Sequence, residues 1–366
     1  MRIQRSAFFF NCAKLSHGKP SNQTFSVIYI MREFYQVQKT GSMHNLKLDR
    51  SEVPALDSGK VLVGVKSIGL NYADIFAIMG LYSATPKVPF IPGLEFSGEV
   101  LASDSNDFLP GQKVMGVTRF GGYDSHIVAD PHYLFPLPEG WSYEEGAAFP
   151  VQTFTAYYAL HTLGGLTFDQ TVLIHSAAGG VGLQANRIAK KNNAFTIGVV
   201  GNESKLELLK QEGFNKAIVR GKNFSKDLIN ALGGRPLNLV LEATGGKYFR
   251  YSYKMLAPMG RLVAYGSAQF TPSSHKPNYI SLLFKYLFRP RVDPLTMIKS
   301  NKSVMAFNLI WIYEQKALMK EMLTEIEKLK LPPPKVGHRF NFSEMGKALG
   351  LFKSGKTTGK VVLNLE

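Results

Sequence analysis

The sequence predicts an α/β protein of two domains, a partly open β-barrel followed by a doubly wound parallel sheet. Three observations predict it. Between Phe34 and Pro150, short strands recur between turn residues. From Val172 onward, short apolar strands alternate with helical runs. The first of those strands enters the glycine-rich stretch His175-Ser176-Ala177-Ala178-Gly179-Gly180-Val181-Gly182. With 366 residues the chain can build two hydrophobic cores. Its hydrophobic content of 45% and charged content of 19% exclude a disordered or fibrous protein.

In chain order, residues 1–30 contain no acid, carry Arg2 and Arg5, and hold an apolar cluster at 7–10. That composition is compatible with a mitochondrial presequence, and equally with an upstream start codon or a disordered tail. Met31 opens the first strand of a domain. Further strands are expected at 60–65, 96–101, 113–117 and 126–129, with the spacing and Gly/Pro punctuation of a partly open barrel. Ser142 followed by Glu145 reads as a capping box that starts the helix leading into the second domain. There the expected strands are 172–174, 195–200, 237–241 and 261–265, and the expected helices 183–191, 204–212 and 248–256. The run 304–311 is expected to add one more strand. The tail, 314–366, reads as an amphipathic helix, Pro332-Pro333-Pro334, and a last strand at 360–365. The expected division is therefore 1–30, 31–153, 154–313, and 314–366 returning to the first domain.

Cys12 is the lone cysteine, which excludes an intramolecular disulfide or a cysteine-built zinc site and suits a reducing compartment such as the cytoplasm. The net charge of +16 is concentrated: between Lys247 and Lys302 ten basic residues stand against a single acid, Asp293. Such a surface can attract nucleic acid, anionic lipid or acidic ligands, or be merely solvated. No nucleic-acid module accompanies it, so no nucleic-acid partner is expected. No apolar run reaches the roughly 18–20 residues needed to cross a bilayer. Within 271–303, however, basic residues alternate with Leu282, Leu283, Phe284, Tyr286, Leu287 and Phe288. This segment could touch an anionic membrane surface.

The glycine stretch carries the chemistry. It lies between an expected strand and an expected helix, where unpaired N–H groups and the helix dipole favour a pyrophosphate. Gly179 lets the backbone approach such a ligand, Gly182 lets the helix pack on the strand, and Ala177 replaces a usual glycine. Ala178, Gly180 and Val181 complete the cradle. A dinucleotide is the expected ligand. The second strand ends in Gly201-Asn202-Glu203-Ser204-Lys205. Gly201 leaves room for a 2′-phosphate, Asn202 and Ser204 offer polar contacts, and Lys205 and Arg220 offer charge, which favours NADPH. Glu203 argues the other way, as a carboxylate that could hold an unphosphorylated ribose, and Lys205 could be an ordinary helix-surface lysine. His126, His161 and His175 are read as non-catalytic.

The same residues, together with Gly69-Leu70-Asn71-Tyr72-Ala73-Asp74 and Pro92-Gly93-Leu94-Glu95-Phe96-Ser97-Gly98, resemble the medium-chain dehydrogenase/reductase superfamily over roughly 31–365. The Ala-Ala-Gly-Gly-Val-Gly form is similar to its zinc-free quinone oxidoreductase branch. Ala148-Phe149-Pro150, Thr155-Ala156-Tyr157 and Asp293-Pro294 are most like the subgroup of the synaptic vesicle amine-transport protein homologue. The resemblance implies a GroES-like barrel, a Rossmann domain and a homodimer. It places Asn71, Leu94 and Val151 where zinc-dependent relatives carry ligands, which implies no catalytic metal. The expected chemistry is then reduction of a quinone or enone by NADPH rather than alcohol oxidation. By the resemblance Asn71 and Tyr82 lie near substrate and nicotinamide, and Asp74 has a structural role. Thr155, Thr244, Tyr265, Gly266 and Ser267 line the cofactor. Lys360 reaches a phosphate or the nicotinamide side, or else is a surface lysine. The alternative reading is a dinucleotide-binding interaction protein at a membrane surface with weak or no turnover.

Overall fold

The computed structural model describes residues 31–272 and 274–365. The expectations for 1–30 and Cys12 lie outside them. A pair, β1 (Met31–Val37) and β2 (Leu46–Glu52), precedes β3 (Val61–Gly69), helix α1 (Tyr72–Ile78), β4 (Glu95–Ser103), β5 (Lys113–Val117), β6 (His126–Ala129) and β7 (Leu134–Pro136). In β3 the alternation is legible: Val61, Val63 and Val65 are buried while Leu62 and Gly64 are less so. Helices α2 (Tyr143–Ala147) and α3 (Pro150–Tyr157) lead out of this part. Helix α2 begins on the expected capping box, with Glu145 N donating to Ser142 Oγ at 3.2 Å and Ser142 N to Glu145 Oε2 at 2.8 Å.

The alternating part follows as β8 (Thr171–His175), α4 (Gly180–Lys191), β9 (Phe195–Val200), α5 (Leu206–Gln211), β10 (Lys216–Val219), α6 (Phe224–Leu232), β11 (Leu237–Glu242), α7 (Gly246–Met255) and β12 (Leu256–Ala264). Two helices, α8 (Tyr279–Leu287) and α9 (Pro294–Ser300), precede β13 (Ser303–Ala306). The six strands are parallel, in the order β10-β9-β8-β11-β12-β13. Every residue of β8 is buried, as a central strand covered on both faces requires. Val172 and Ile174 pack on one side with Leu183, Ala185 and Ile188, while Leu173 packs on the other with Phe224 and Leu228.

The chain ends with α10 (Leu309–Ile312), α11 (Lys316–Lys328), β14 (Val336–Asn341), α12 (Met345–Lys353) and β15 (Lys360–Asn364). Strand β15 pairs antiparallel with β3 and parallel with β14, so the tail rejoins the first sheet. One expectation is corrected here. The run 304–311 is not a single strand: β13 stops at Ala306 and α10 begins at Leu309. Ile310 and Ile312 turn inward, Ile312 packing with Met319, Met322 and Ile326 of α11, which sheet geometry could not provide. The expected helix 204–212 is also divided, because Asn202 caps a short turn at Glu203–Lys205 before α5 starts.

Candidate active site

The strand order reverses between β8 and β11, and ligands of doubly wound sheets bind at the carboxyl ends beside that switch. A cavity of about 910 Å³ opens there, walled by both parts of the chain. Its dinucleotide side is the loop Ser176 to Gly182 and the N-terminus of α4, with Gly179 as a cap that offers no side chain. The first turn of any helix leaves N–H groups without intrahelical partners, and here the residues of that turn line the cavity. A Cβ on Gly182 would stand 2.6 Å from Ala177 Cα, and one on Gly180 would stand 2.8 Å from Gln152 Oε1. Gly182, which meets backbone, therefore needs glycine, whereas a side chain at Gly180 would displace the Gln152 carboxamide.

Further round the wall are Val181, Thr155, Lys205, Arg220, Tyr265, Gly266 and Ser267. Lys205 Nζ donates to the carbonyls of Gly355 and Thr357 at 2.8 and 2.7 Å, tying the tail to the end of β9. Arg220 Nη1 donates to Thr244 Oγ1 at 2.9 Å, so Thr244 holds the guanidinium from behind and is not itself in the wall. Thr155 Oγ1 is spent on Val151 O at 2.6 Å. Asn202 and Ser204 are exposed and outside the wall. The Asn202 carboxamide accepts Ser204 N at 2.9 Å, capping its own turn. Glu203, the residue that argued against NADPH, is exposed and outside the wall as well.

The opposite wall is largely apolar, with Tyr72, Phe76, Leu94, Val117, Val151 and Phe307. Asn71, Leu94 and Val151, separated by up to eighty positions in sequence, do meet in it. Tyr82 donates to Asn308 Oδ1 at 2.7 Å, and burial pushes its hydroxyl up to about 12, so it keeps its proton at neutral pH. Asn71 is fully engaged. Its Nδ2 donates to Gly69 O at 3.2 Å and Glu95 Oε1 at 2.9 Å, and its Oδ1 accepts Gln152 Nε2 at 3.1 Å and Lys360 Nζ at 2.9 Å. Its main chain starts α1, with Asn71 N donating to Asp74 Oδ2 at 2.7 Å.

Lys360 is 3% exposed and ion-paired with Glu95, which corrects the surface-lysine alternative. Burial lowers its ammonium pKa, opposed by the Glu95 charge. Asp74, which also accepts Tyr123 OH at 2.8 Å, is pushed up to about 7 by burial. Glu95, Gln152 and Asn308 were missed as site residues. The only signal for Glu95 was a carboxylate heading an apolar strand. Of the histidines, His175 Nε2 meets Ser252 Oγ at 2.8 Å, and burial pushes its ring down to about 3, so it stays neutral. Among the described residues no three His, Cys, Asp or Glu side chains gather as a metal site.

Residues 57–139 match the family described as the alcohol dehydrogenase GroES-like domain, and residues 180–307 the family described as zinc-binding dehydrogenase. The synaptic vesicle membrane protein VAT-1 homolog of Danio rerio is 32% identical over 354 residues, covering 95% of this chain and 72% of the relative. Quinone oxidoreductase-like protein 2 of Bos taurus is 30% identical over 318 residues, covering 84% of this chain and 85% of the relative. The quinone oxidoreductase of Thermus thermophilus, a crystal structure also determined as a complex with NADPH, superposes with a TM-score of 0.74 at 28% identity. That superposition covers 91% of this chain and 100% of that one. Barrel, parallel sheet and the cleft between them define an oxidoreductase of the two-domain dehydrogenase type. The chain belongs to the medium-chain dehydrogenase/reductase superfamily, among the VAT-1 homologues and quinone oxidoreductase-like proteins.

Proposed function

We propose that the protein is an NADPH-dependent reductase of quinones or α,β-unsaturated carbonyls that works without zinc. One observation carries the reading: a glycine-rich helix N-terminus and an apolar wall line the same cavity. The glycine cradle fits a pyrophosphate, since Gly179 at the start of α4 puts no side chain into the cavity and Gly182 lets the helix end sit close on Ala177. Lys205 and Arg220 would hold a 2′-phosphate, and no carboxylate stands in the wall beside them to favour an unphosphorylated ribose. When bound, the nicotinamide supplies the hydride.

The protein's own residues do the rest. The apolar wall excludes water and accepts a flat conjugated substrate, and the protonated Tyr82 hydroxyl would donate to it by turning from Asn308 Oδ1, which accepts its proton at 2.7 Å. Asn71, Leu94 and Val151 supply no set of metal ligands, so the substrate must bring its own activation, as a conjugated carbonyl does. NADPH oxidation by the purified protein against a panel of quinones and enones tests the reading, with NADH in parallel. Turnover with preference for NADPH supports it, and dinucleotide binding without turnover on any substrate contradicts it.

A second reading has its own observation. Helices α8 and α9 and the turn between them expose Ile280 (72%), Phe288 (70%), Leu295 (75%) and Ile298 (76%) and carry Lys285, Arg289, Arg291 and Lys299. Among the described residues no helix is long and apolar enough to cross a membrane. This face instead suits an anionic surface, in keeping with the word membrane in the name of the Danio rerio relative. Co-sedimentation with liposomes containing anionic lipid tests it. Binding that survives neutralisation of Lys285, Arg289 and Arg291 would contradict it.

A further inference from the structure

We propose that Lys360, paired with Glu95, is a positioning residue that couples the glycine loop to the Asn71 side of the substrate wall. The inference rests on the reductase reading of the cavity. Four buried side chains from four separate segments close one network: Asn71 before α1, Glu95 at the head of β4, Gln152 on α3 and Lys360 at the head of β15. Glu95 Oε1 accepts Lys360 Nζ, Gln152 Nε2 at 2.8 Å and Asn71 Nδ2 at 2.9 Å, while Glu95 Oε2 accepts Val151 N at 2.9 Å. Asn71 Oδ1 accepts both Lys360 and Gln152. Its carboxamide thus has one orientation that satisfies every partner.

The network meets the glycine loop at two points, through the neighbour of Lys360 and through Gln152. Gly359, the residue before Lys360, donates its N–H to Ala178 O at 2.8 Å and bridges Gly179. Gln152 underlies Gly180 so closely that its Oε1 would be 2.8 Å from a Cβ there. A displacement of the loop therefore reaches Asn71 by two routes of direct contact, through Gly359 and Lys360 and through Gln152. A buried ion pair is a poor source of stability, because desolvation cancels most of the attraction. It is a good way to fix a carboxamide between two charges. With its charge met by Glu95, Lys360 is also poorly suited to capture a phosphate, which separates this role from the cofactor contact expected from sequence.

The experiment uses the full-length protein with Lys360→Met, Glu95→Gln, and the double variant, which leaves no unpaired buried charge. NADPH affinity, kcat and KM are measured for each. The expected result for Lys360→Met is a kcat lowered about 10- to 100-fold, the scale set by small misplacements at a reacting centre. NADPH affinity should stay within about threefold, and the double variant should be no worse than Lys360→Met, because the network acts as a unit. Affinity falling in parallel with kcat would make Lys360 an anion contact and overturn the proposal, as would an unchanged kcat. A double variant that fails to fold would make the pair structural and overturn it too. Hydrogen exchange gives a readout that needs no turnover. Lys360→Met should speed exchange at both Asn71 N–H and Gly359 N–H, and acceleration at only one of them overturns the coupling. A wild-type protein that binds no NADPH defeats the functional reading separately, and the exchange result still decides the coupling.

Discussion

At the scale of single residues, the preference for NADPH falls to Lys205 and Arg220, the cations in the cavity wall near the end of β9. Charge-assisted hydrogen bonds contribute about 1.5–3 kcal/mol each, so Lys205→Ala or Arg220→Ala alone should cost roughly 10- to 100-fold in NADPH affinity relative to NADH, and the two together more. An unchanged ratio, measured by titration of both dinucleotides, would show that neither cation meets the phosphate. Asp74 makes a different prediction. Its carboxyl titrates near 3.8 in an unfolded chain and is pushed up to about 7 by burial in the fold. Between those values the folded protein holds a proton that the unfolded chain has released. Stability should therefore fall as pH rises through that window and level off above it. Asp74→Asn should flatten the melting temperature over the same range, and identical slopes in the two proteins would refute the assignment.

At the scale of elements, the turn from β8 into α4 is the part the fold tolerates least. Gly182→Ala places a methyl 2.6 Å from Ala177 Cα, an overpacking that costs about 1–3 kcal/mol and moves the helix end. The variant should melt lower and lose dinucleotide binding, and retained affinity would mean that the helix end does not hold the ligand. This element was legible in sequence because its determinants are local: a buried strand, glycines at fixed offsets, then a helix. The Ser142–Glu145 box was legible for the same reason. The run 304–311 was not, since an unbroken apolar stretch carries no period with which to tell strand from helix. Asn202 and Ser204 lie outside the wall for a local reason, because the Asn202 side chain caps its own turn. The network around Glu95 was illegible because its members are far apart in sequence, Lys360 and Asn71 by 289 positions. Spacing and periodicity carry no information across such a gap.

At the scale of the whole molecule, the tail closes the structure. It pairs with β3, touches the glycine loop at Gly359 and places Lys360 in the cavity wall beside Asn71, so both halves of the site depend on residues after 350. The homodimer implied by the family resemblance remains a proposal, for which β13 offers an unpaired sheet edge beyond β12. The exposed basic and apolar face of α8 and α9 lies on the chain segment between β12 and that edge, and Leu282 and Tyr286 of α8 also line the cavity. The central claim is reduction of an activated double bond within that cavity. The most direct measurement is the rate of NADPH oxidation by the purified protein with quinones and enones, against the rate with NADH. Turnover with at least one such substrate is expected, with a preference for NADPH that Lys205→Ala weakens. Tight NADPH binding with no turnover on any of them would contradict it and favour the interaction protein.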